Sequence, residues 1–149
     1  MSRPAMRHPT GRWSLSQVHT HAGVTLAIAR RVAGLGWVNA EDLTVDDIVV
    51  LQVAAALLDA PRPSGPRHLR ENHLDRDELA LNLTRDCIRR RANDPHLTLL
   101  ITPGGAMVAE NLIGLMNALN ETSATPRLLL PLGAWIAGMP ALNTDRVAS

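Results

Sequence analysis

The chain has no lysine, no phenylalanine and no tyrosine, so its fifteen basic residues are all arginines. Its aromatic residues other than histidine are three tryptophans, Trp13, Trp37 and Trp135. Proteins that bind single-stranded nucleic acids stack bases on several aromatic side chains, and this composition argues against that mode. Double-stranded DNA is bound through phosphates and base edges, and arginine serves both contacts.

Cysteine and long apolar runs are also scarce. The single Cys87 cannot form an internal disulfide, as expected for a reducing compartment. The apolar stretch at 48–60 is shorter than the ~18–20 residues that a membrane span needs. Residues 1–13 lack the apolar core of a signal peptide. The sequence therefore predicts a cytoplasmic protein without a membrane segment.

The charge of the chain is unevenly distributed. Its 149 residues, 46% of them hydrophobic, suit one domain of ordinary size or two small ones. The net charge is only +1, but residues 1–40 hold five arginines and no acid, whereas residues 41–60 hold five acids and no base. A basic N-terminal part fits a polyanion such as DNA. A basic tail that is merely solvated has the same composition.

Capping patterns predict two short helices near the N-terminus. Ser14 with Gln17 forms a capping box that opens a helix to about residue 22. Gly23 permits the left-handed backbone conformation of a sharp turn. Thr25 then caps a second helix, which Gly34 ends.

Two further helices are predicted on either side of a proline-rich break. Thr44 with Asp47 opens a helix to about residue 59. PRPSGPR at 61–67 reads as a linker. Asp75 with Glu78 then opens a helix that ends by residue 93. The apolar stripe of the helix before the linker consists of Ile48, Leu51, Ala55 and Leu58.

The C-terminal part has a mixed pattern. Strands are predicted at 97–102, 106–110 and 127–132, with a PGG turn inside a hairpin, and helices at 111–120, capped by Asn111, and at 134–139. The predicted fold is thus mainly α with a small α+β part. Its domains are a helix-turn-helix three-helix lobe at 12–60, a Pro-rich linker at 61–67 and an α+β lobe at 68–141.

The stretch SLSQVHTHAGVTLAIARRVAGLG at 14–36 has the spacing of a helix-turn-helix motif. Such a motif needs a glycine in the turn, apolar residues that pack the helices together, and polar residues on the exposed side of the second helix. Two ordinary core helices joined by a tight turn would share the first two features. The adjacent Arg30 and Arg31 favour the motif that reads DNA. The packing positions are Val18, Val24, Ile28 and Val32.

SLSQVHTHAGVTLAIARRV, followed by AEDLTVDDIVVLQVAAAL, resembles the N-terminal DNA-binding region of MerR-like regulators and of related excisionase and repressor proteins of actinobacteria and their phages. The resemblance covers about residues 13–58 and rests on AGVT in the turn and EDLT at the third helix. It implies a helix pair that reads duplex DNA. The basic β-wing of MerR-like proteins is missing, because only GLGWVNA at 34–40 fills its place.

The helix that begins after Thr25 is predicted to enter the major groove, with Arg30 and Arg31 contacting bases or phosphates. Arg7 and Arg12 would follow the DNA backbone or a minor groove. The arginine-rich end of helix 75–92 precedes a hairpin, the element order of a winged helix, and is either a second DNA contact or simply solvated. The predicted DNA-binding residues are Arg7, Arg12, Ser14, Thr25, Leu26, Ala27, Arg30, Arg31, Arg85, Arg89, Arg90 and Arg91.

The sequence lacks patterns typical of catalysis or metal binding. His19 and His21 do not face each other on a helix, and TPGGA at 102–106 lacks the lysine of a phosphate loop. We expect no enzyme activity, no cofactor and no metal.

The predicted function is that of a sequence-specific double-stranded DNA-binding transcriptional regulator, a repressor that could serve phage or mobile-element immunity. The alternatives are a protein-interaction module without DNA binding and an excisionase-type architectural DNA-binding protein. The second lobe would form a homodimer through its hairpin and helix 111–120, or add a second DNA contact to a monomer.

Overall fold

The described residues form six helices and three short strands. A computed structural model describes residues 13–61 and 67–140, with side chains for 13–61 and 75–140. The predicted fold class, mainly α with a small α+β part, is confirmed. In chain order the elements are α1 (Leu15–Ala22), α2 (Leu26–Gly34), α3 (Asp47–Leu58), α4 (Arg67–Arg89), β1 (Thr98–Thr102), β2 (Gly105–Ala109), α5 (Leu112–Glu121), β3 (Leu128–Leu130) and α6 (Leu132–Ala137).

The chain divides into two units. Unit 1 contains the described residues up to Ala55 together with 138–140, and unit 2 runs from Ala56 to Ala137. Most of the predicted linker at 61–67 lies outside the described residues, but Arg67 already belongs to α4.

The predicted start of α1 and the turn after it are confirmed. The Gln17 backbone N–H donates to Ser14 Oγ over 3.1 Å, and the Ser14 N–H donates to Gln17 Oε1 over 2.8 Å. Gly23 has φ 74°, in the left-handed region. Thr25 caps α2, because its Oγ1 accepts from the Ile28 N–H over 3.2 Å.

The end of α2 differs from the prediction. Gly34 is the last helical residue, and the left-handed residue that reverses the chain is Gly36, with φ 82°. The N–H groups of Leu35 and Gly36 donate to Arg31 and Ala33 carbonyls, which satisfies acceptors at the helix end.

One of the two hydrogen bonds of the capping box predicted for α3 is present. Asp47 Oδ2 accepts from the Thr44 N–H over 2.8 Å, while Asp47 is itself the first helical residue. Of the predicted apolar stripe, Ile48 and Leu51 are buried, whereas Ala55 and Leu58 are half-buried. An α-helix that is apolar all round is an internal helix. The fully buried residues of α3 that the stripe omitted are Val49, Val50, Val53, Ala54 and Leu57.

Unit 2 is built on α4, which begins eight residues before the predicted Asp75. Asp75 is therefore an exposed mid-helix residue and not a cap. The helix ends at Arg89, and Arg91 adopts a left-handed φ of 53°. The buried positions of α4 recur every three or four residues: Arg76, Asp77, Ala80, Leu81, Thr84, Cys87 and Ile88.

The three strands form an antiparallel sheet in the order β2-β1-β3. The fully buried Leu100 faces α5 and packs with Ala109 and Ala118, and Leu115 and Leu119 join this cluster. Leu99 and Ile101 point to the opposite face, because alternate side chains of a strand point to opposite faces, and both are fully buried.

A buried arginine connects the parts of unit 2. Arg76 is 2% exposed, and its Nε and Nη2 donate to Oδ1 of the equally buried Asp77 over 3.0 and 2.7 Å. Its Nη1 donates to the Pro61 carbonyl and, over 2.9 Å, to the Thr102 carbonyl. One guanidinium therefore holds α4, the chain before α4 and the end of β1 together.

Replacing Arg76 by methionine leaves Asp77 as a buried carboxylate without its partner, and two carbonyls without a donor. We expect urea unfolding followed by circular dichroism to show a loss of about 3–5 kcal/mol in the free energy of unfolding. Arg89→Met breaks an exposed ion pair on the same helix and is the control, with an expected loss below about 1 kcal/mol. Equally small losses in both variants would contradict the role given to Arg76.

Candidate nucleic-acid interface

The exposed side of α2 is a narrow stripe of small and positively charged residues. Ala29 and Val32 are fully buried on its inner side, where α2 packs against α1. The exposed residues of α2 are Ala27, Arg30, Arg31 and Gly34. The spacing of three, one and three residues places them on one face of the helix. We call these four residues the α2 stripe.

The turn between α1 and α2 is fixed by several hydrogen bonds. The Gly23 and Val24 N–H groups donate to Thr20 and His19 carbonyls over 3.3 and 3.2 Å. His19 Nδ1 lies 2.9 Å from the Val24 carbonyl oxygen. Because a carbonyl only accepts, His19 must carry its proton on Nδ1 there. His19 lies inside the helix-turn-helix motif, and no local pattern in the sequence predicts this contact.

The N-terminal end of α2 offers unbonded donors. The backbone N–H groups of Leu26 and Ala27 make no hydrogen bond within the described residues, as expected for the first turn of a helix. The Thr25 hydroxyl oxygen accepts from Ile28, so its hydrogen is available to donate outward. A helix start with free N–H groups attracts phosphate.

Arg30 and Arg31 are the charged residues of α2. Both side chains are exposed, and within the described residues no ion pair holds either guanidinium. Helix α2 contains no acidic residue. The α2 stripe therefore presents two guanidinium groups that a polyanion can contact.

The remaining predicted residues of the first lobe have different positions. Ser14 is exposed but serves as the cap of α1, and Leu26 is half-buried at the start of α2. Arg7 and Arg12 lie outside the described residues. The structure thus brings Thr25, Leu26 and the α2 stripe together.

Unit 1 also contains a contact that anchors α1. The backbone N–H of the buried Trp13 donates to the Leu43 carbonyl over 2.8 Å. The Trp13 and His21 rings meet edge-on, with their centroids 5.2 Å apart. The residue before the Ser14 cap of α1 is therefore bonded to the segment before α3. Among the residues that the structure describes, the buried indole Nε1 of Trp13 has no hydrogen-bond partner.

The arginines at the end of α4 are partly neutralised. Asp86 accepts from Arg89 Nη2 over 2.7 Å and from Arg90 Nε over 3.1 Å, and Arg90 Nη1 lies 3.1 Å from Glu110 Oε1. Arg91, two residues beyond the end of α4, donates through Nη1 to the Ile88 carbonyl. Arg85 is exposed one turn earlier. Because two acids lie among these four arginines, the positive potential is weaker here than it would be around four arginines without acids.

Other kinds of site find no support in the described parts of the chain. No group of three or more histidine, cysteine, aspartate or glutamate residues could hold a metal ion in 13–61 and 75–140. In the ranges that the structure describes, no helix is both long and apolar enough to cross a membrane.

Comparison with known proteins finds no matching family model, no matching curated protein and no matching solved structure. The resemblance to MerR-like and excisionase-like proteins stays a prediction from the residues alone.

Gly23→Ala should destabilise the fold by about 1–2 kcal/mol, because the left-handed conformation is unfavourable for a residue with a Cβ. An added Cβ would meet no atom within 4 Å, so backbone strain is the whole effect. Gly34→Ala is the matched control: it lies in a helix with open space around it, and alanine should stabilise it by about 0.5–1 kcal/mol. Thermal unfolding of both variants checks the opposite signs, and a neutral Gly23→Ala would contradict the turn.

The hydrogen bonds from Arg90 and Arg89 hold the pKa of the Asp86 carboxyl below its ordinary value. A lowered folded-state pKa stabilises the fold at neutral pH, and this contribution disappears as the pH falls through that pKa. Arg90→Ala should raise the pKa of Asp86 toward its ordinary value, as followed by carboxyl-carbon NMR titration. Arg127→Ala, which removes an arginine from another part of unit 2, should leave it unchanged. An unchanged midpoint in Arg90→Ala would contradict the pairing.

Proposed function

We propose that the chain is a sequence-specific double-stranded DNA-binding protein that acts as a transcriptional repressor and reads the major groove with α2. The observation that carries this proposal is the α2 stripe, in which two exposed arginines lie on the outer face of a short helix after a left-handed turn. The major groove admits an α-helix, and arginine makes bidentate hydrogen bonds to guanine there.

The small residues of the stripe support the same function. Ala27 and Gly34 flank the two arginines and add almost no bulk, so the helix backbone can approach base edges closely. Ala27 can contact a thymine methyl group. At the start of the helix, the Thr25 hydroxyl and the Leu26 and Ala27 N–H groups suit a phosphate oxygen, which would fix the helix on the DNA backbone.

The composition of the stripe argues against α2 as a helix that docks on another protein. A helix that docks in a protein groove presents large apolar side chains at the positions that repeat every three or four residues. The corresponding positions of α2 hold alanine, two arginines and glycine. This face has little apolar surface to bury, and its charge suits a phosphate backbone.

The arginines at the end of α4 have a lesser place in the proposal. Arg89 and Arg90 already bind Asp86 and Glu110, so a phosphate would have to compete with these carboxylates. We propose that this set contributes at most general, salt-sensitive attraction to DNA. Arg7 and Arg12 remain candidates for contacts along the DNA backbone.

Selection of bound duplexes from a random pool, performed at two salt concentrations, tests the function. We expect a consensus sequence at both, with weaker binding at the higher salt because bound phosphates release counterions. Binding without a consensus would favour an architectural protein, which DNA bending would reveal. Absence of binding would support the protein-interaction alternative.

Arg30→Ala and Arg31→Ala should each weaken binding to the selected duplex. We expect a loss of ~1–3 kcal/mol and a relaxed preference at one position for a residue that contacts a base, or a salt slope reduced by about 1 for a residue that contacts a phosphate. Arg127→Ala, which removes one positive charge from unit 2, is the control and should bind as the unmodified chain does. Unchanged affinity in both α2 variants would contradict the proposal.

A further inference from the structure

The outer face of α5 exposes large apolar side chains. Ile113 is 73% exposed, Met116 61% and Leu112 47%. Asn117 and Asn120 continue the same face toward the C-terminal end of the helix, at the spacing of one helical side. The inner face of α5 packs Ala118 against the sheet. Exposed apolar groups clustered on one helix face mark an interaction surface more often than scattered ones do.

The sheet beneath α5 is also incompletely covered. Met107 and Leu129 are the cross-strand partners of Leu100 in β2 and β3. Directly paired residues of neighbouring strands point to the same face, so both lie on the face that α5 covers. Met107 is 37% and Leu129 42% exposed. The apolar surface of this side of unit 2 is therefore larger than that of α5 alone.

The charge of the α5 face indicates its partner. The residues from Asn111 to Asn120 include no charged side chain. In a twofold interface each residue near the axis meets its own copy, so any charge there is repelled by itself. The one charged residue of α5, Glu121, is the last of the helix and lies away from an axis at the middle of the face, so the centre of the face avoids this repulsion. The Asn117 and Asn120 amides carry both donors and acceptors and can hydrogen-bond with groups at the opposite end of the partner's interface.

We infer that the outer face of α5 binds a second copy of this chain, with α5 antiparallel to α5 across a twofold axis near Ile113 and Met116. The apolar side chains meet at the centre and the asparagines lie at the rim, which is the usual anatomy of an interface. A strongly charged partner would find no opposite charge among residues 111–120.

The inference rests in part on the proposed function. A single DNA-binding module buries roughly 600–1,000 Å² of protein surface on DNA, which is at or below the lower end of the range of buried areas in specific complexes. A dimer carries two copies of α2 and reads a site with twofold symmetry. The interface itself is a property of the free protein, so it can be tested without DNA.

Sedimentation equilibrium of the full chain without DNA tests the interface. We expect a mass of about twice 16.1 kDa that falls toward the monomer mass on dilution. Ile113→Asp and Ile113→Lys should each be monomeric, since each places like charges at the axis, and an equimolar mixture of the two should recover the dimer mass. Leu79→Asp adds an acid at an exposed leucine of α4 and should remain dimeric.

A chain that is monomeric at every concentration overturns the inference, and so does a dimer that survives both Ile113 variants. Circular dichroism of the variants should match the unmodified chain, because Ile113 is exposed. Recovery of the dimer in the mixture shows that both variants are folded. Failure of the mixture to dimerise also overturns the inference.

The duplex selection separates this inference from the proposed function. A dimer that selects no DNA sequence supports the α5 interface and removes the proposed function. A monomer that selects an asymmetric DNA site overturns the α5 interface and leaves the proposed function intact.

Discussion

The left-handed turn at Gly23 is the constraint on which the candidate interface depends. It determines the direction in which α2 leaves α1, and thereby which side of α2 is buried. Ala29 and Val32 lie on the buried side of the helix. Arg30 and Arg31 stand between them in the sequence and lie on the exposed side. The Thr25 cap and the His19 hydrogen bond to Val24 hold the same turn from both sides. One backbone conformation therefore places two charges on a surface.

The two arginine groups of the chain differ in what surrounds them. The pair on α2 has no acid on its own helix, whereas Arg89 and Arg90 share Asp86 and Glu110. Surface ion pairs contribute little to stability, but they lower the positive potential that an approaching phosphate experiences. The number of arginines in a segment is thus a poor guide to DNA binding unless the neighbouring acids are known. This contrast is why we assign base reading to α2.

Local signals in the sequence were sufficient for several helix caps and for the turn after α1. The Ser14 box, the Gly23 turn, the Thr25 cap and the Asn111 cap involve residues three or fewer positions apart, and each forms as predicted. The start of α4 was missed because Asp75 and Glu78 have the spacing of a capping box, although both lie inside the longer helix. The burial of Arg76 was equally hard to predict, since its guanidinium binds the carbonyls of Pro61 and Thr102, which lie 15 and 26 positions away. The ion pair between Arg90 and Glu110 is equally non-local.

Proximity of the α2 stripe to DNA bases is the central claim, and cleavage of DNA from a tethered reagent measures it directly. Burial raises the pKa of the Cys87 thiol, so this native cysteine reacts slowly. An iron chelate attached to Ala27→Cys would then mark the position of α2 on the selected duplex. The account predicts cuts within the base pairs of the consensus, and none above background from the same reagent at Asn82→Cys of α4. Cuts from Asn82→Cys alone, with an uncut consensus for Ala27→Cys, would contradict it.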